Sequence, residues 1–210
     1  MGGHPDRGTL SRDLTLRDLG RGPLEVARDL LGVHLVAGGV TLRLTEVEAY
    51  HGPADPGSHG YRGMTPRTEV MFGPPGRLYV YRSYGIHWCV NVVCGAKGEC
   101  AAVLLRAGEV VRGHDLVAAR RPDVRHRDLA RGPGRLTKAL GISGEDNGAS
   151  VVGRRAPFAL RAPSEGVPEA VVRTGPRVGV SGPGGDGRTH PWRFWIDGEP
   201  TVSPYRPGRR

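Results

Sequence analysis

LYVYRSYGIHWCVNVV, residues 78–93, holds two β-rich runs, Leu78–Tyr84 and Ile86–Val93, broken only by Gly85. Aromatic and β-branched residues favour the pleated surface, and a lone glycine between two such runs marks a turn. A third run, Cys100–Arg106, follows the turn Gly95-Ala-Lys-Gly98. Three short strands joined by tight turns read as an antiparallel meander.

Upstream, PLEVARDLLGVHLV, beginning at Pro23, sets Val26, Leu30 and Leu31 on one face of a short helix that Gly32 ends, and a strand follows. Val40–Ala49 alternates as a second strand. Residues 51–77 are rich in Gly and Pro among His and Arg, too long and irregular for a simple connector, and read as a functional loop. Beyond Gly141, short apolar runs at Phe158–Leu160, Ala170–Val172 and Val178–Val180 read as small strands between loops.

A chain of 210 residues with 34 glycines and 18 prolines fits one loop-rich domain better than a helical bundle. No internal repeat or domain boundary is visible. Residues 1–12 are expected as a flexible tail and 203–210, SPYRPGRR, as a basic one, with the folded domain over 13–202. No run of about 18 apolar residues is present to span a bilayer and the start lacks a signal-peptide pattern, so a cytoplasmic protein is expected. Three cysteines, Cys89, Cys94 and Cys100, are odd in number and sit among apolar residues, which reads as reduced thiols.

The formal net charge of +9 favours a polyanionic partner, nucleic acid before acidic membrane, because each phosphate neutralised releases counterions. Of 30 basic residues only Lys97 and Lys138 are lysines, so part of the surplus reflects arginine-rich composition. The stretch from Arg106 to Lys138 carries nine basic residues against four acidic ones and concentrates the positive charge.

Three short segments carry chemistry. TEVEAY, Thr45–Tyr50, puts Glu46 and Glu48 on one side of a strand. Either both face solvent, or one is desolvated and suited to activating water. LYVYRSYG, residues 78–85, offers Tyr79 and Tyr81 on one strand face and Tyr84 at the turn; they pack a sheet or stack on an unstacked base. RGPGRLTKALGI, residues 131–142, starts a helix with Arg135 and Lys138 near its free N–H groups, an ordinary helix start or a phosphate contact. The run of His51, His59, His87 and the cysteines matches no zinc spacing, and no metal or cofactor is expected.

Taken in order, TEVEAY, GSHGYRGMTPRTEVMF, GRLYVYRSYGIHWCVNVV, AAVLLRA and RGPGRLTKALGI resemble the alkyladenine (3-methyladenine) DNA glycosylase family, from about Leu14 to about Trp195. The resemblance implies an α+β fold: one mixed domain around a curved antiparallel sheet with flanking helices and a β-hairpin that enters DNA. It implies Glu48 as the base that deprotonates the attacking water and Arg106 as its helper, with Glu46 a structural neighbour. Tyr50, His59 and Tyr81 would enclose the flipped base, Asn91 would crowd the amine of normal guanine, and Tyr84 would plug the gap in the stack. Arg67, Arg135 and Lys138 would meet the DNA backbone.

The implied reaction is monofunctional: water hydrolyses the N-glycosidic bond of a damaged purine in duplex DNA and leaves an abasic site. Lys97 and Lys138 are poorly placed to attack as amines. The implied substrates are 3-methyladenine and 7-methylguanine, with hypoxanthine and ethenoadenine further candidates, and the implied state is a monomer. The alternative reading is a non-catalytic nucleic-acid-binding module. It is disfavoured by Glu48, a carboxylate beside the aromatic residues that would repel phosphate. The long Arg-rich tails and the Gly-rich segment Ser181–Gly187 depart from the family pattern.

Overall fold

The computed structural model describes residues 10–208. In chain order the strands are β1 (Leu10–Asp13), β2 (His34–Ala37), β3 (Val40–Tyr50), β4 (Leu78–Ser83), β5 (His87–Val93), β6 (Ala102–Arg112), β7 (Phe158–Pro163), β8 (Val172–Gly175) and β9 (Arg193–Ile196). The helices are α1 (Leu16–Leu19), α2 (Pro23–Asp29), α3 (His114–Arg120) and α4 (Pro133–Leu140). All pairings are antiparallel, in the order β1-β7-β2-β3-β6-β5-β4, and β8 and β9 attach beside β3. The result is a mixed α/β domain around a curled half-barrel sheet, and the expected meander is β4–β5–β6.

β3 is the spine of the sheet. β6 follows one edge along its whole length, while β2 and then β9 share the other. Simple alternation does not survive along it. Val40, Leu42 and Leu44 face the core at even positions, and Val47 and Ala49 do so at odd ones. Register with β6 slips between Leu44 and Val47, passing over Thr45 on β3 and Arg106 on β6. A one-residue insertion exchanges the two faces of a strand. Without it, Glu46 and Glu48 would point into the same apolar core as Leu42 and Leu44.

The core lies between the sheet and the helices: Leu35, Leu44, Val90, Val92 and Leu105 from strands meet Val26, Ala27, Leu136 and Leu140 from α2 and α4. Burial of a side chain of this size stabilises by about 1.5–3 kcal/mol. α2 begins at Pro23, whose missing N–H costs nothing in a first turn, and the chain leaves it through Gly32 at φ 79°. α4 is held to β5 by the Thr137 hydroxyl, which donates to the Trp88 carbonyl at 2.9 Å. Gly134 permits that approach, since a Cβ there would lie 2.4 Å from the His87 ring.

Four readings differ from the structure. Ala170–Val172, expected as a strand, lies mostly in the 3-10 turn Glu169–Val171, and β8 begins only at Val172. Strand β1, whose residues Leu10–Arg12 fall in the expected N-terminal tail, pairs with β7 and covers its otherwise open edge; residues 1–9 lie outside the described residues. Ser203, the expected start of the other tail, is buried and bonded to Glu46; residues 209–210 lie outside the described residues. Val178–Val180 is a loop, not a strand, because its first N–H bonds a carboxylate instead of a neighbouring strand.

Candidate active site

Behind the β4–β5 hairpin lies a cavity of about 720 Å³, within the size range of small-ligand sites. Tyr50, His59, Arg67, Tyr81, Tyr84, Asn91 and Arg106 all line it. β4 and β5 send alternate side chains inward: Tyr79 and Tyr81 stack at 5.5 Å between ring centres, while Leu78 and Val80 turn to the core. From the facing loop His59 meets Tyr81 edge-on at 4.6 Å, and its Nδ1 lies 3.1 Å from the Tyr79 hydroxyl. The Asn91 amide donates to the Tyr79 carbonyl at 3.0 Å.

Behind Arg106, which lines the cavity, Glu46 and Glu48 are both fully buried, and Arg106 reaches both from its bulge: Nε to Glu46 at 2.9 Å, Nη1 to Glu48 at 3.3 Å. Their surroundings differ. Glu46 accepts further bonds from Arg193 Nε at 2.7 Å, the Ser203 N–H at 2.7 Å and the Ser203 hydroxyl at 3.0 Å. Glu48 accepts one neutral donor on each oxygen, the Tyr50 hydroxyl at 2.9 Å and the Val178 N–H at 2.7 Å.

Burial dominates the electrostatics. It works against the charge on Arg106, but Glu48 and Glu46 outweigh it and raise the guanidinium pKa. The Tyr50 and Tyr81 hydroxyls are pushed up by burial, with Glu48 adding to the effect, so both stay neutral donors. His59 is pushed down by burial and by Arg67, so it stays uncharged at neutral pH. The cavity thus offers uncharged rings to a flat ligand, with Arg67, Arg82 and Arg106 as the arginines that line it.

At the hairpin tip, Tyr84 is 87% exposed and Ile86 76%. Tyr84 sits at φ 48° and Gly85 at 68°, with the Ile86 N–H donating to the Ser83 carbonyl. Two successive positive φ values suit a tight hairpin of right-handed twist. A tyrosine there is strained and uncovered, which marks a site of function more often than of stability.

Arg135 and Lys138 lie on α4 outside the cavity wall, though Pro133, at the helix start, contributes to it. Arg135 is tied to Asp128 at 3.5 Å, and Lys138 lines a separate groove with Ile86 and Trp88. Lys97 is exposed in the β5–β6 turn and lines no part of the cavity. Among the described residues no three His, Cys, Asp or Glu side chains converge as a metal would require, and all three cysteines are free and buried. No helix among them is long and apolar enough to cross a membrane.

The sequence reading missed Val178, Arg193 and Ser203, which hold the two carboxylates, and Arg177, buried behind Tyr50. All four lie more than a hundred residues away in the chain. The skipped beat in the apolar pattern between Leu44 and Val47 was the available sign that TEVEAY turns its acids away from the core.

The pattern of the family described as methylpurine-DNA glycosylase matches residues 17–200. A protein of Streptomyces avermitilis is 51% identical over 96% of this chain and 94% of its own length. One of Frankia casuarinae is 52% identical over 89% and 90%, and one of Mycobacterium bovis 45% identical over 94% and 96%. Each bears the name "Putative 3-methyladenine DNA glycosylase". With the family pattern spanning most of the chain and relatives at half identity over nearly all of it, the chain belongs to the methylpurine-DNA glycosylase family and is an enzyme acting on N-glycosyl bonds.

Proposed function

We propose that the protein is a monofunctional glycosylase that takes a damaged purine out of duplex DNA into this cavity and hydrolyses its N-glycosidic bond with a water activated by Glu48. The carrying observation is a buried carboxylate held on both oxygens by Tyr50 and Val178, which themselves line an aromatic cavity. A binding module has no use for a negative charge there; a hydrolase does, since a positioned general base contributes about 10²–10⁴-fold. Glu46, bound by two arginines and Ser203, has no such freedom.

In this reading Tyr50 and Tyr81 stack on the extruded base, worth about 1–3 kcal/mol per contact, and His59 borders its edge. Arg106 helps position the water. Asn91, fixed by its bond to the Tyr79 carbonyl, crowds the exocyclic amine of undamaged guanine, so discrimination rests partly on exclusion. Tyr84, projected by the strained turn, fills the gap left in the stack. Arg67, Arg135 and Lys138 meet phosphates, and the protein works as a cytoplasmic monomer on DNA.

Purines methylated at N3 or N7 carry a positive charge that weakens the bond to the sugar, so water activation is the main task left. 3-Methyladenine and 7-methylguanine are therefore the first substrates, with neutral hypoxanthine and ethenoadenine demanding leaving-group protonation as well. The test is incubation with duplexes holding one 7-methylguanine, hypoxanthine or ethenoadenine, followed by alkali. Alkali-dependent strand breaks at the lesion are expected; breaks without alkali, or none with any lesion, overturn the reading.

A further inference from the structure

We infer that Arg177 is a positioning residue for Glu48: its buried guanidinium holds in place both uncharged donors to the carboxylate oxygens. The inference rests on the reading of Glu48 as the base. Arg177 is completely buried although it is among the largest side chains in the molecule. Its Nη1 donates to the Ala49 carbonyl at 2.9 Å and to Asp55 at 2.6 Å; its Nη2 donates to the other Asp55 oxygen at 2.6 Å and to the Gly184 carbonyl at 2.7 Å. Asp55 in turn accepts the N–H groups of His51 and Gly57. One fork therefore joins the end of β3, the loop after it and the loop of residues 176–184.

Both uncharged donors to Glu48 stand on this clamp. The guanidinium carbon lies 4.5 Å from the centre of the Tyr50 ring, whose hydroxyl donates to Glu48 Oε2. On the other side, the residue after Arg177 supplies the N–H that donates to Oε1. Trp192 closes the guanidinium from another side at 5.2 Å. A buried ion pair is often no more stabilising than apolar side chains of the same volume. What the fork adds is direction, because a planar guanidinium fixes several acceptors at set angles where an ammonium does not.

The charged and titratable groups around Glu48 are Arg106 from β6, Glu46 and Tyr50 on its own strand, Arg193 opposite it on β9, Tyr81 from β4, Cys89 from β5 and Arg177 itself. Hydrogen bonds to the ionised form of a carboxylate favour that form. If the Tyr50 and Val178 donors drift, Glu48 keeps Arg106 but loses two of the bonds that stabilise its charge.

The test is single-turnover release of 7-methylguanine from a duplex, followed across pH, because a leaving group already cationic leaves the acid limb to the base. Arg177→Lys is expected to slow release about ten- to a hundredfold, since small misplacements of reacting groups cost on this scale. It is also expected to move the acid limb of the rate profile to higher pH, since bonds to the ionised carboxylate are lost, while DNA affinity stays within about twofold. Leu160→Ala, a core truncation in β7 away from the cavity, lowers the melting temperature and leaves the limb in place. Should Arg177→Lys not fold, Asp55→Asn loosens the same clamp from its other half and is read in the same way. A lowered melting temperature with an unmoved limb, in whichever of the two folds, makes Arg177 a packing residue and overturns the inference. Glu48→Gln separates the two levels. If it keeps the wild-type rate, the reading of Glu48 falls and this inference with it; if it is inactive and the limb is unmoved, the inference on Arg177 alone falls.

Discussion

Glu46 and Glu48 are two residues apart on one strand face, equally buried, and share Arg106, yet their neighbourhoods suit opposite tasks. Around Glu46 two arginines and both donors of Ser203 converge, closing β9 and the C-terminal segment onto the sheet. Around Glu48 the partners are a tyrosine that also lines the cavity and a loop N–H. What separates the structural carboxylate from the one proposed as catalytic is how many donors are committed to it and whether they belong to the fold or to the cavity.

The sharpest way to break this contrast is to neutralise each acid in turn. Glu48→Gln keeps the shape and removes the base, so single-turnover base release is expected to fall about 10²–10⁴-fold while DNA binding stays near wild type. More than about a hundredth of the wild-type rate would sink the assignment.

Glu46→Gln is expected to act the other way. It leaves Arg106 and Arg193 facing an uncharged amide, and breaking a buried pair from one side costs about 3–5 kcal/mol. Urea unfolding reads that loss as a lowered midpoint. A Glu46→Gln protein of normal stability that releases no base would exchange the two roles.

Tyr84 extends the contrast from behind the cavity wall to its mouth. Being 87% exposed, it supports no packing, so Tyr84→Ala leaves the melting temperature unchanged. As a plug it acts on the flipping equilibrium, so the rate is expected to fall most for a lesion well paired in a duplex and least in single-stranded DNA. A uniform loss across these contexts removes the plug role. The smallest effect belongs to the lysines: with protein in saturating excess over DNA, Lys97→Ala and Lys138→Ala together are expected to release base at the wild-type rate, Lys138→Ala weakening only DNA affinity, and borohydride to trap no protein on damaged DNA. A trapped adduct refutes hydrolysis by water.

The local chemistry of this protein is written in its sequence. Alternating aromatic residues made the β4–β5 hairpin legible, Pro23 and Gly32 bracketed α2, and TEVEAY put the two acids side by side. Periodicity and turn residues act between near neighbours in the chain, so one sequence suffices to read them. Which acid is tied and which stays beside the cavity was decided elsewhere. Arg177, Val178, Arg193 and Ser203 reach Glu46 and Glu48 across separations of 130 residues or more, or through Tyr50. The faces of β3 themselves depend on the paired slips at Thr45 and Arg106, which exist only once β3 and β6 are aligned. Burial and hydrogen-bond partners are properties of residues brought together from distant parts of the chain, so only the tertiary structure could assign them.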